Sequence, residues 1–214
     1  MNIAILTFDG FNELDSLLAL GILRQVKSPD WTVSIACPTD TVTSMNGVVL
    51  HSQMNWQAVC EADVVLVGSG VKTREICADE HLLHSLKMDP ERQLIGSQCS
   101  GALVLARLGL LPERAASTDL TTKPWVEEAG VAVVEQPFFA VGNVATAGGC
   151  LASQYLAGWV IARLKGLEAA RQALHYVAPV GEKIAYVERA ISHISPYLQD
   201  VVRSACQAAE PSIH

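Results

Sequence analysis

Three strand-like runs, at 3–8, 63–67 and 93–95, are largely apolar on successive residues, and each leads through a turn into apolar residues at helical spacing. A strand apolar on both sides must be covered on both faces. That is the habit of parallel sheets, whose crossover connections lay helices on each face. The alternation therefore predicts an α/β fold built on a parallel sheet with right-handed crossovers. A further strand is expected at 31–36 and a short β excursion at 39–50, turning at Asn46-Gly47. Strand candidates follow at 130–134 and 143–147, with Gln136-Pro137-Phe138-Phe139 between them. Helices are expected from Asn12 or Glu13, over about 73–87, through Ala102, Leu103, Leu105, Ala106 and Leu108, and over 150–164 and 167–177.

The tail from Glu182 to about Ala205 carries Ile184, Val187, Ile191, Ile194, Leu198 and Val201 in steps of three and four. This is an amphipathic helix pattern that Pro196 should kink or split. The weakest seam is Ala178-Pro179-Val180-Gly181. Residues 1–177 are thus expected to form one α/β domain, and 178–214 a helical extension packed on that domain or on a partner subunit.

With 50% hydrophobic and 17% charged residues, the chain can bury a sizeable core. A net charge of −7 without a basic cluster argues against a nucleic-acid surface. No run approaches about 18 apolar residues, so no membrane span is expected. The N-terminus enters a strand at once and lacks a basic secretion segment. Six cysteines, at 37, 60, 77, 99, 150 and 206, show neither a CxxC pair nor Cys/His metal spacing. The expectation is reduced thiols in a cytoplasm, with no metal. His81 and His84 are read as a solvated helix face, and His175 as a favourable charge near a helix end.

In an open parallel sheet, sites form at the carboxyl ends of strands. Three such ends carry suggestive residues: the turn reaching Asp15, Gly68-Ser69-Gly70, and Cys99. Cys99 stands at the apex of a strand–turn–helix in residues 92–111, with the small residues Ser97 and Gly101 two places either side. A nucleophile elbow requires that pattern because the turn is tight. A helix N-terminus there would favour thiolate. The alternative is a buried packing cysteine. Asp15, among Leu14, Leu17 and Leu18, is either a satisfied polar group at the core edge or a site carboxyl with a raised pKa. In the second case it could donate to a Cys99 thiolate or protonate a substrate. The Gly70 and Ser100 amides could form an oxyanion-type hole, or Gly70 could be an ordinary turn. Cys150, entering an apolar helix after Gly148-Gly149, is read as packing.

Together, Phe8-Asp9-Gly10-Phe11 with Glu13-Leu14-Asp15, residues 68–74, Cys99-Ser100-Gly101-Ala102-Leu103 with Gly109-Leu110-Leu111, and Thr146-Ala147-Gly148-Gly149 resemble the ThiJ/PfpI superfamily. The branches it most resembles are the isonitrile hydratases and the sensor domains of amidase-like AraC-family regulators. The resemblance spans roughly residues 1–177. It implies a three-layer, flavodoxin-like sandwich of class I glutamine-amidotransferase type, usually homodimeric, with Cys99 as nucleophile on the elbow and Asp15 as its acidic partner. It also implies that Gly70 and Ser100 lie at the amide hole, and that Ser69, Thr118 and Asp119 lie at the substrate. In this sequence the family's P-G-G turn is Gly68-Ser69-Gly70. Asp119 occupies the histidine position of its A-T-T-H-W segment, and Tyr155 a position that is often acidic in hydratases. A carboxylate at 119 would oppose thiolate formation and departs from Cys-His hydrolase chemistry.

The activity so implied is cofactor-independent hydration of an isonitrile to an N-substituted formamide through a Cys99 thioimidate. The alternatives are a non-enzymatic small-molecule or redox sensor, and a glyoxalase- or deglycase-like activity. A small-molecule partner and a second copy of the chain are expected, without nucleic acid or membrane.

Overall fold

The computed structural model describes residues 1–198. Its centre is a sheet of six strands, β1 (Asn2–Leu6), β2 (Thr32–Ala36), β3 (Val64–Val67), β4 (Leu94–Gln98), β5 (Phe138–Val141) and β6 (Val144–Ala147), in the order β2-β1-β3-β4-β6-β5. All neighbours pair parallel except β5 and β6, which are antiparallel. Alternate residues of one strand enter different cores: Ile3 and Ile5 face one side, Ala4 and Leu6 the other. The first core is roofed by α1 (Glu13–Leu23), α6 (Ser153–Lys165), α7 (Leu167–Val177) and α8 (Lys183–Ile194). The second is roofed by α2 (Thr73–Ala78), α3 (Glu80–Ser85), α4 (Gly101–Arg107) and α5 (Lys123–Glu128). The result is the three-layer, flavodoxin-like sandwich. Double-sided burial is why the strands read as continuous apolar runs.

Four boundaries differ from the sequence reading. Phe138 and Phe139, expected in a connection, belong to edge strand β5, where only Phe138 and Ala140 are buried. Residues 130–134 shrink to the strand Ala132–Val133, which pairs with Ala115–Ala116 outside the main sheet. The helix expected over 73–87 is two helices, because Asp79 leaves the helical backbone and its side chain caps α3 through the Leu82 N–H at 2.9 Å. The helix expected from 150 opens with the 3₁₀ turn Cys150–Ala152.

α8 buries Val187, Ala190, Ile191 and Ile194 against the α6/α7 side. It ends before Pro196, which has no N–H to continue it. Tyr197 then packs edge-on against Phe138 and Phe139, with ring centroids 5.5 and 6.0 Å away. The described part of the extension therefore packs on the same body. Val201 and Ala205 lie outside the described residues.

Candidate active site

The strand order turns back between β1 and β3, and the crevice at such a point opens at the carboxyl ends of the strands. Cys99 follows β4 with a φ of 44°. The left-handed region costs an L-residue about 1–2 kcal/mol, so the surroundings must hold it there. The Cys99 N–H donates to Ala147 O at 2.8 Å, and the Thr118 hydroxyl donates to Cys99 O at 2.8 Å. A Cβ on Gly101 would stand 2.6 Å from Val67 O, so only glycine lets α4 start this close to β3. This is the tight elbow that Ser97 and Gly101 foretold.

Asn12 caps α1 by accepting the Leu14 N–H at 3.1 Å, and the first turn of that helix directs Asp15 inward, where it is fully buried. The Ser69 hydroxyl donates to one carboxyl oxygen and the Ser16 hydroxyl to the other at 3.2 Å, and the Cys99 thiol is near enough to favour the charged carboxylate. Burial raises the Asp15 pKa from 3.8 to about 6, against the lowering effect of those hydrogen bonds. The Cys99 thiol is itself pushed far above its ordinary value, first by burial, then by the charges of Asp15 and Asp119 and by Cys150. A hydrogen bond from the Gly149 amide acts the other way. Burial and two carboxylates thus oppose the thiolate that a helix N-terminus would favour. The resting proton sits on sulfur, and Asp15 is placed to take it.

A cavity of about 390 Å³ opens over Cys99, with Ser69, Gly70, Cys99, Ser100, Asp119 and Cys150 in its wall, and Asp15 lies behind Ser69. Met45, Val71 and Trp125 supply apolar surface, and among the described residues no histidine lines it.

The DJ-1/PfpI family profile matches residues 1–163. The chain belongs to the DJ-1/PfpI family. Among solved structures it is similar to a ThiJ/PfpI family protein from Pseudomonas syringae, at 19% identity and a TM-score of 0.73, over 92% of this chain and 88% of that one. A DJ-1 superfamily protein from Salmonella typhimurium matches at 23% identity and a TM-score of 0.70, over 83% of this chain and 98% of that one. An AraC family transcriptional regulator from Pseudomonas putida matches at 18% identity and a TM-score of 0.70, over 83% and 99%. These likenesses carry the fold. No curated protein matches the sequence significantly.

On this DJ-1/PfpI scaffold several expected site residues have their polar groups committed elsewhere. The Gly70 N–H, expected in an oxyanion hole, donates to Ser100 Oγ at 3.1 Å, and that oxygen lies 2.8 Å from Thr73 Oγ1. Ser100 thus ties the elbow to the Gly70 turn. Ser69, expected at the substrate, holds Asp15 as well as lining the cavity. The Thr118 hydroxyl, also expected at the substrate, holds the Cys99 carbonyl. Asp119 accepts the Thr121 and Thr122 N–H groups at 2.9 and 3.1 Å, capping the turn before α5 while facing the cavity. Tyr155 is buried in the core with its ring 4.7 Å from that of His193.

Sequence reasoning named Asn12 only as a helix start, missed the Gly149 amide, and read Cys150 as packing. Cys150 is half-buried in the cavity wall, where Asn12 Nδ2 donates to its sulfur at 3.1 Å. The only signal was its place after Gly148-Gly149. Among the described residues no group of three His, Cys, Asp or Glu could hold a metal, and no helix is long and apolar enough to cross a membrane.

Proposed function

We propose that this chain is a cofactor-independent enzyme that adds the Cys99 thiol to the terminal carbon of an isonitrile. The observation that carries the reading is the contact between Cys99 and a fully buried Asp15 whose pKa, about 6, suits proton transfer in both directions near neutrality. Asp15 takes the thiol proton as the Sγ–C bond forms, and delivers it to the same carbon, giving a thioimidate. Water adds to that carbon, the C–S bond breaks, and the N-substituted formamide leaves with the thiol restored. One water is consumed and nothing is oxidised. No imidazole is required. A cytoplasmic setting follows from the cysteine usage.

The test is infrared loss of the isonitrile stretch with appearance of the formamide carbonyl. Cys99→Ala should abolish turnover, and Asp15→Asn should lower kcat by about 10²–10⁴-fold. Because Asp15 must be ionised to accept the proton, kcat/KM should rise with pH through about 6 and then level. Undiminished turnover in Cys99→Ala defeats this reading. A second reading, a non-enzymatic small-molecule sensor, is favoured by Asp119 facing the thiol, since its charge holds the proton on sulfur. Saturable isonitrile binding with no formamide would support it.

A further inference from the structure

We propose that Cys150 is a resolving thiol for Cys99, and that the two close a reversible intramolecular disulfide when a hydroperoxide enters the cavity. The inference needs no assumption about the substrate. Both cysteines line one cavity. The last paired residues of β4 and β6 are Gln98 and Ala147, side by side in parallel register, so Cys99 and the Gly148-Gly149-Cys150 turn leave the sheet together. The Gly149 amide stands close enough to Cys99 to favour its thiolate, and Cys150 is the next residue, one Cα step of about 3.8 Å from Gly149.

A disulfide needs Cα atoms within about 7 Å. Gly149, at φ 91°, gives the link between the two sulfurs a glycine's freedom to adjust. Asn12 steadies the Cys150 sulfur over the start of the helix that carries Asp15. The other described thiols are placed elsewhere: Cys37 beside Thr7, Cys77 in the core, and Cys60 directed at the Ser85 carbonyl.

The steps balance. Cys99 gives its proton to Asp15 and attacks the peroxide. An S–O bond forms, the O–O bond breaks, and the leaving hydroxide takes up a proton as water (as the alcohol for an organic hydroperoxide). Sulfur is oxidised by two electrons and the peroxide reduced by two. The Cys150 sulfur then attacks Cys99 Sγ, forming S–S and breaking S–O, and the second hydroxide leaves as water with the Cys150 proton.

The experiment treats the reduced full-length protein with one equivalent of hydrogen peroxide, traps free thiols under denaturing conditions, and reads intact mass and cross-linked peptides. The expected product carries two fewer thiol adducts than the reduced control, contains a Cys99–Cys150 peptide link, and, when treated with dithiothreitol before trapping, regains the adduct count of that control. In Cys150→Ser the link is absent and Cys99 instead gains oxygens of about 16 Da each, with thiol recovery at least about tenfold lower after overoxidation. The proposal is overturned if wild type accumulates only oxygen adducts, if Cys99 links to any other cysteine, or if Cys150→Ser oxidises and recovers like wild type. Because mass is the readout, failure here leaves the isonitrile assay untouched, and the reverse also holds.

Discussion

Asp15 carries a charge that its neighbours only partly offset. The group ionises near 3.8 in an unfolded chain and near 6 in the fold, so the native state holds its proton more tightly between those values. Stability from this group is complete below about pH 4, falls as pH rises, and is lost above about 6, amounting to about 3 kcal/mol. Asp15→Asn should remove that slope: its melting temperature relative to wild type should rise from pH 4 to pH 7, while turnover falls. Cys99 carries strain of a different kind. At φ 44°, Cys99→Gly should exceed Cys99→Ala in stability by about 1 kcal/mol, read from urea midpoints, with both variants inactive. The tight turn at Cys99 was legible locally, and a raised Asp15 pKa was one of two local readings; that the two groups come together was not, since they lie on segments far apart in the chain.

At the scale of elements, the join between α4 and β3 sets how close the thiol stands to the β3 turn. Gly101→Ala would put a methyl 2.6 Å from Val67 O and 2.9 Å from Gly68 O, both backbone atoms. We expect a loss of about 2 kcal/mol in chemical denaturation, with the elbow displaced. Gly21 in α1 is the control, because its Cβ would meet nothing within 4 Å. Gly21→Ala should gain about 0.5–1 kcal/mol from helix propensity. Strands such as Val64–Val67 could be read in advance because a strand buried on both faces is apolar throughout. β5 could not, because an edge strand buries alternate residues and Pro137 in front of it reads as a break. The split at Asp79 was hidden because the apolar spacing runs on through it, while the cap that divides it is a side-chain hydrogen bond.

At the scale of the whole molecule, large apolar side chains that line the cavity or follow its lining residues in sequence are exposed. Met45 and Val71 are 46% and 59% exposed, and Leu120 and Leu151, next to the cavity residues Asp119 and Cys150, are 80% and 68% exposed. We propose that a second copy of the chain covers them. Sedimentation equilibrium at micromolar concentration should return twice the chain mass of 22.9 kDa, and Leu151→Asp should shift the population toward monomer.

Hydrophobic periodicity alone determined the alternating α/β order, the parallel sheet and the strand ends where chemistry would gather, because each strand's burial is written in its own side chains. The elbow at Cys99 was equally local, since it follows from small residues at set offsets. Only the tertiary structure decided that Ser69 would serve Asp15, that Gly70's amide would be taken by Ser100, that burial would hold the proton on Cys99, and that Cys150 would share its cavity. Those outcomes depend on distances between segments far apart in the chain, and on water excluded by all of them at once.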